Sequence, residues 1–261
     1  MNIITEIRNV QVTRYVTPLR EGGSLPAIAE ANDGFLYVLK FHGAGQGPKA
    51  LIADFIGGEI ARAIGLLVPE MVFAELDKAF GRTEPDEEIQ ELLRKSEGLN
   101  LGVHYLSGAI SYDPAVTKID PTLASKILWL DSLLMNVDRT ARNTNMLSWH
   151  GELWIIDHGA SLYFHHQWDN WEEQSLKPFA AIKDHVLLAQ ASELNQVDTD
   201  LKLLLSEQLV HHIVSLIPEK WLQHDHDGIT VNDIRKVYID FLLSRISNSH
   251  IFLNEAMNAR K

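Results

Sequence analysis

The chain is expected to fold as an α+β protein of two lobes, a small β-rich N-terminal lobe and a larger, mainly helical C-terminal one. Three observations predict this. Its 261 residues exceed the commonest single-domain size. The first third carries short apolar runs of period two, punctuated by turn residues. Beyond Pro121, apolar residues recur at helical spacing.

Taken in order, "NVQVTRYV" and "SLPAIAEA" read as strands, and "FLYVLKF" follows the turn-prone Asn32-Asp33-Gly34 as in a hairpin. A helix is predicted over about 50 to 65, with Leu51, Phe55, Ile56, Ile60 and Ile64 on one stripe. "MVFAEL" is a further strand. Residues 77 to 99 are acidic and helix-prone, a solvated insertion before the strand-like "LNLGVHYLSG". The lobes join near 106 to 120, which gives domains of 1–106 and 107–261. Pro121 suits a first helical turn, and Leu123, Ile127, Leu130 and Leu134 continue that helix. After residue 180 helices dominate, notably at about 199 to 216 and 231 to 254.

Composition narrows the function classes. Hydrophobic content of 46% and charged content of 22% are those of an ordinary soluble globule. A net charge of -12 disfavours a broad footprint on nucleic acid or anionic lipid, while leaving room for a small basic pocket. The chain has no cysteine, so thiolate chemistry and Cys-ligated metal are excluded and a reducing compartment suits it. "MNIITEIRNVQVTRYV" lacks the apolar centre of a signal peptide, and no apolar run approaches the roughly 20 residues of a membrane span. A cytoplasmic protein is expected.

The most polar stretch in the middle of the chain is "NVDRTARNTNML", just after the helix that begins at Pro121. It is followed by two strand-like runs flanking His150-Gly151, a plausible two-residue turn. Such a hairpin brings Asn143 and Asp157 to the same end, pairing an amide oxygen with a carboxylate as Mg²⁺ prefers when phosphate also holds it. Asp138, on the same loop, is placed to accept a proton from an attacking hydroxyl. The alternative is structural: Asp138 merely neutralises Arg139 or Arg142. Upstream, alternation along "FLYVLKF" sets Leu36, Val38 and Lys40 on one face, opposite Phe35, Tyr37, Leu39 and Phe41. An ammonium on an apolar face needs a partner, and Glu59 on the next helix is the expected one.

The segments "YVLKF", "NVDRTARNTNML" and "LWIIDHGASL", in that order, resemble a HipA-like kinase, an atypical branch of the protein-kinase-like fold with features of phosphatidylinositol kinases. The order of elements fits from about 10 to 250. The resemblance implies a two-lobed protein-kinase-like fold, with a nucleotide-binding N-terminal lobe and a catalytic C-terminal lobe. It also implies phosphorylation that depends on ATP and Mg²⁺, usually of a protein serine or threonine. On it, Lys40 contacts the nucleotide phosphates and Glu59 orients it, Asp138 is the base, and Asn143 and Asp157 are metal ligands. Compared with conventional eukaryotic protein kinases, Asn136-Val137 replaces His-Arg, Thr140 replaces Lys, and His158 replaces the Phe of Asp-Phe-Gly. Arg142 is a candidate to replace the missing positive charge at the transferring phosphoryl group, against a plain structural ion pair.

No G-x-G-x-x-G precedes Lys40. The candidate nucleotide loop is "REGGSLP", where Gly22, Gly23 and Ser24 offer backbone N–H groups and a hydroxyl to phosphate, or form a simple turn. "HGAGQGPK", which follows Lys40, reads as a connector. "HDHD" at 224 to 227 and the pairs His165-His166 and His211-His212 read as solvated segments rather than a metal site. Trp168 and Trp171 suit either a substrate-docking surface or burial against the helical lobe. Other readings stay open: a small-molecule or lipid kinase, a nucleotidyl transferase, or a catalytically silent binding module. Expected partners are ATP, an unidentified acceptor, and an antitoxin-like protein such as some HipA relatives have.

Overall fold

The computed structural model describes residues 6–19, 25–80, 85–222 and 228–261. Alternating apolar residues close the first strands into a barrel, in which β1 (Asn9–Pro18), β2 (Ala27–Ala31), β3 (Leu36–Lys40), β4 (Met71–Leu76) and β5 (Gly98–His104) are ordered β1-β2-β3-β5-β4. The β1 to β4 pairing is parallel and the others are antiparallel. Its interior is lined by small and medium side chains, among them Ala27, Ala29, Ala31, Leu39 and Val72. Tyr37 and Leu39 point inward, so Val38 and Lys40 face the other way.

The helix after β3, α1 (Pro48–Ala63), has eleven of its sixteen residues buried, including both Asp54 and Glu59. It packs against α3 (Pro121–Leu134), α6 (Glu207–Ser215) and α7 (Glu219–Leu222). The apolar core therefore runs from the outer face of the barrel into the helices without a break. Phe55 meets Phe73 of β4 at 5.6 Å between ring centroids, and Phe73 meets Trp221 of α7 edge-on at 5.5 Å. The Trp221 indole N–H also donates to the Leu99 carbonyl of β5 at 2.9 Å. The chain is a mixed α+β structure, β-rich at its N-terminal end and helical at its C-terminal end.

Short strands β6 (Ile110–Ser111), β7 (Met146–Trp149) and β8 (Glu152–Ile155) form a second sheet. Trp149 pairs with Glu152 across His150 (φ 51°) and Gly151 (φ 81°), the two left-handed positions of a type I′ turn. The described part of the acidic insertion holds a short helix, α2 (Glu87–Lys95). The predicted helix at 199 to 216 is two helices, α5 (Leu194–Leu204) and α6. Ser206 separates them, because its hydroxyl accepts the Leu209 N–H and starts a new helix. The one predicted at 231 to 254 is likewise α8 (Val231–Ser247) and α9 (His250–Ala259), parted at Asn248-Ser249. Among the described residues no helix is long and apolar enough to cross a membrane.

Candidate active site

A cleft of about 1470 Å³ opens between the barrel and the helical part. Its walls include Lys40, Asp138, Arg142, Asn143 and Asp157, so these five predicted residues share one cavity. Glu59 is not among them.

The route from α3 into the loop is set by its last turn. Met135 is left-handed (φ 57°), and the N–H groups of Met135 and Asn136 both donate to the Asp131 carbonyl, closing the helix and reversing the chain. Arg245 of α8, fully buried, donates to the carbonyls of Ser132 and Leu133 at 2.6 and 2.7 Å and so satisfies the open end of α3. Desolvation lowers its pKa to about 10.

Beneath the loop lies a buried polar cluster. Asp131 accepts from Arg139 Nε at 2.6 Å, from Asn136 Nδ2 at 2.9 Å and from His185 Nε2 at 2.9 Å. The Leu187 N–H donates to His185 Nδ1 at 3.1 Å, which leaves Nε2 as the nitrogen that donates to Asp131. Burial pushes the Asp131 carboxyl up, but Arg139 and His185 outweigh it and hold the group well below the usual carboxylate range. Arg139 also donates to the carbonyls of Asn145 and Ile156, tying the loop to the hairpin. This arginine is committed to Asp131. Asp138 accepts instead from two amides, Asn143 Nδ2 at 2.7 Å and Asn145 Nδ2 at 3.2 Å, both on Oδ2. Arg142 is exposed at the cleft and makes no ion pair among the described residues.

Lys40 Nζ reaches across the cleft to Asp157 Oδ1 at 2.8 Å and, on its own side, to Asp54 Oδ2 at 2.6 Å. Desolvation works against the ammonium, but the two carboxylates outweigh it and hold Lys40 above its ordinary pKa. Burial opposes ionisation of Asp54 likewise, and Lys40 with His158 outweighs it, holding Asp54 well below the carboxylate range. Asp54 also accepts the His158 N–H at 2.6 Å, which fixes the backbone beside Asp157. One turn along the helix, Gly57 leaves room for the His158 side chain, since a Cβ there would lie 2.5 Å from His158 Cβ. Asp157 is left-handed (φ 56°), a conformation aspartate tolerates, and this turns its side chain to Lys40.

The expected partner of Lys40, Glu59, is therefore corrected to Asp54. Glu59 sits one and a half turns further on, 3.5 Å from Arg62, and desolvation holds its pKa above the ordinary value. Because α1 is buried all round, its apolar period does not distinguish the two acids. An aspartate set directly among Leu51, Ile52, Phe55 and Ile56 was the available signal. Glu59→Gln is expected to hold or raise the melting temperature at neutral pH, whereas Asp54→Asn, which removes a counter-charge of the buried Lys40 ammonium, is expected to lower it. The sign for Glu59 follows from its raised folded-state pKa. The group favours folding below its ordinary pKa and opposes it as pH rises toward the folded value, so a neutral amide removes a neutral-pH penalty. A thermal melt of each variant checks both.

Gly22, Gly23 and Ser24 lie outside the described residues, as does "HDHD". Their flanks Leu19 and Pro26 line the cleft, joined by the Leu19 N–H to the Pro26 carbonyl at 2.7 Å. The segment expected to be only a connector also lines it: Ala44, Gly45, Gln46 and Gly47 form part of the wall just before α1. Trp168 and Trp171, the latter opening the short helix α4 (Trp171–Ser175), pack, partly buried, against the core. His165 is buried, with Nδ1 3.0 Å from the Tyr238 hydroxyl, and is not solvated.

Hard oxygens for a cation are available at the mouth. Asp157 Oδ2 and Asn143 Oδ1 accept no hydrogen bond among the described residues. Among the described residues no three His, Asp or Glu side chains converge there as a cage. One carboxylate and one amide, completed by phosphate, fit Mg²⁺.

The chain matches the family model described as HipA-like kinase over residues 12–254. Among solved structures it is similar to the Helicobacter pylori proinflammatory kinase CtkA, with 14% identity and a TM-score of 0.58, over 97% of this chain and 98% of that one. At that identity the likeness concerns the fold alone. None of the curated proteins compared with the chain matches it.

Proposed function

The chain belongs to the HipA-like kinase family, and from that premise we propose that it transfers the γ-phosphoryl group of ATP, with Mg²⁺, to a serine or threonine hydroxyl of a protein. The observation that carries this reading is the reach of Lys40 across the cleft to Asp157, beside Asp138 in the same cavity. Lys40, steadied by Asp54, holds the nucleotide phosphates. Asp157 and Asn143 would hold Mg²⁺, which when bound neutralises charge on the phosphate oxygens. Asp138 takes the proton of the attacking hydroxyl, and Arg142 offers its charge to the transferring group. Gly22, Gly23 and Ser24 complete the phosphate site in this reading.

A protein acceptor is favoured by size. The cleft of about 1470 Å³ exceeds the roughly 300 to 1,000 Å³ of a small-molecule site, so nucleotide and a peptide segment fit together. The net charge of -12 disfavours direct contact with nucleic acid, so any action on DNA passes through a partner such as an antitoxin-like protein. With no cysteine, the chain suits the reducing cytoplasm. Residues 1–106 act as the nucleotide lobe and 107–261 as the catalytic lobe.

ATP with Mg²⁺ is expected to raise the melting temperature, by about 2.7 kcal/mol of native-state stabilisation at 100 times Kd. Labelled ATP added to a lysate is expected to give phosphoserine or phosphothreonine. No binding heat and no thermal shift at millimolar ligand would overturn the proposal, and label on a lipid or metabolite alone would replace its acceptor.

A further inference from the structure

Asn145 stands two residues past the proposed metal ligand Asn143, at a position that the reading above leaves without a role. It is buried, at 9% exposure, where Asn143 is exposed. Its backbone is left-handed (φ 46°) and its carbonyl accepts from both Arg139 Nη1 and the Ile156 N–H, so the residue is pinned to the buried cluster and to the hairpin at once. From that fixed base its side-chain N–H reaches Asp138 Oδ2 at 3.2 Å, the oxygen that Asn143 also contacts at 2.7 Å. Asp138 Oδ1 accepts nothing among the described residues, and Asp138 lines the cleft.

We propose that Asn145 is a positioning residue for phosphoryl transfer: its amide holds one oxygen of the Asp138 carboxylate so that the other meets the acceptor hydroxyl. The inference rests on Asp138 as the base. Asparagine meets two demands at once, since it tolerates the left-handed backbone and supplies a donor. Glycine meets the first demand only. Aspartate meets the first, fills the same volume, and sets a second acceptor against Asp138. An exposed amide such as Asn143, free to turn toward a cation, does not fix the carboxylate by itself, and the buried amide does.

The two replacements separate position from structure. The full-length chain and the variants Asn145→Gly, Asn145→Asp and Asp138→Asn are compared for transfer from γ-labelled ATP with Mg²⁺ to lysate protein. Turnover is expressed per folded molecule from a parallel melt. Asn145→Gly is expected to lower kcat about tenfold while KM for ATP and the Mg²⁺ dependence stay at wild-type values, the loss typical of a hydrogen bond to a charged group. Asn145→Asp is expected to fall at least as far. Wild-type kcat in Asn145→Gly would overturn the proposal. So would an unchanged kcat with a raised Mg²⁺ requirement, which assigns Asn145 to the cation. Asp138→Asn distinguishes the two levels. If it keeps turnover, the base assignment fails, and if it loses turnover while Asn145→Gly does not, only the positioning role fails.

Discussion

Asp138→Asn is expected to lower turnover by about 10²- to 10⁴-fold, roughly 3 to 5 kcal/mol of barrier, with ATP and Mg²⁺ affinity near wild type. Phosphoryl transfer asks the protein mainly to position groups and stabilise charge, so loss of the proposed base affects the chemical step rather than binding. The alternative, that Asp138 serves only to neutralise an arginine, predicts a destabilised protein with normal activity per folded molecule. The geometry opposes it. Arg139 is committed to Asp131 at 2.6 Å, and Arg142 is exposed without an ion pair among the described residues. Removing the Asp138 charge therefore strands no buried cation, and the melting temperature is expected to move little. Measuring turnover and melting on one preparation decides it. A fall in melting temperature with unchanged turnover would refute the catalytic role.

The largest effect on stability is expected one layer down. Asp131→Ala is expected to destabilise the protein by about 3 to 5 kcal/mol, because it leaves the fully buried Arg139 guanidinium without its counter-charge. Against a typical total of about 5 to 15 kcal/mol this is a large share. The same substitution removes the acceptor of Asn136 and His185, so the loop loosens as well. A fall in the denaturant midpoint with unchanged slope is the expected readout, and a variant as stable as wild type would refute it. The depressed Asp131 pKa adds a pH dependence with a definite sign. A carboxyl lowered in the folded state stabilises folding above its ordinary pKa, and that contribution is lost as pH falls below the ordinary value toward the folded one.

Local pattern made much of this architecture legible. The strands of the barrel and the type I′ turn at His150-Gly151 follow from alternation and turn chemistry, and Pro121 does open α3. Spacing about that turn brings Asn143 and Asp157 together, Asp138 shares their loop, and alternation along β3 turns Lys40 to the same cleft. What stayed hidden depends on contacts between residues distant in sequence. His185 meets Asp131 across 54 positions, with no local signal in either. Glu59 took the place of Asp54 because a helix buried on every side has no polar face to read. The long predicted helices broke at Ser206, whose hydroxyl caps α6, and at Asn248-Ser249, where no side chain caps α9, because hydrophobic period continues smoothly through both points.

The placement of α1 has a mechanical meaning. Phe55 presses on the barrel while the same helix packs on α3, α6 and α7, and Trp221 fastens the helical end to Leu99. A rod seated in both halves acts as an axle without a bearing: it transmits force and does not permit sliding, since any displacement would wet side chains that are now dry. Jaw-like rocking of barrel over helices is thus stiff. In the proposed function, exchange of nucleotide falls to the rim, to the Ala44–Gly47 segment and to Pro18 and Pro26 beside the strand ends, where the cleft wall is chain rather than core.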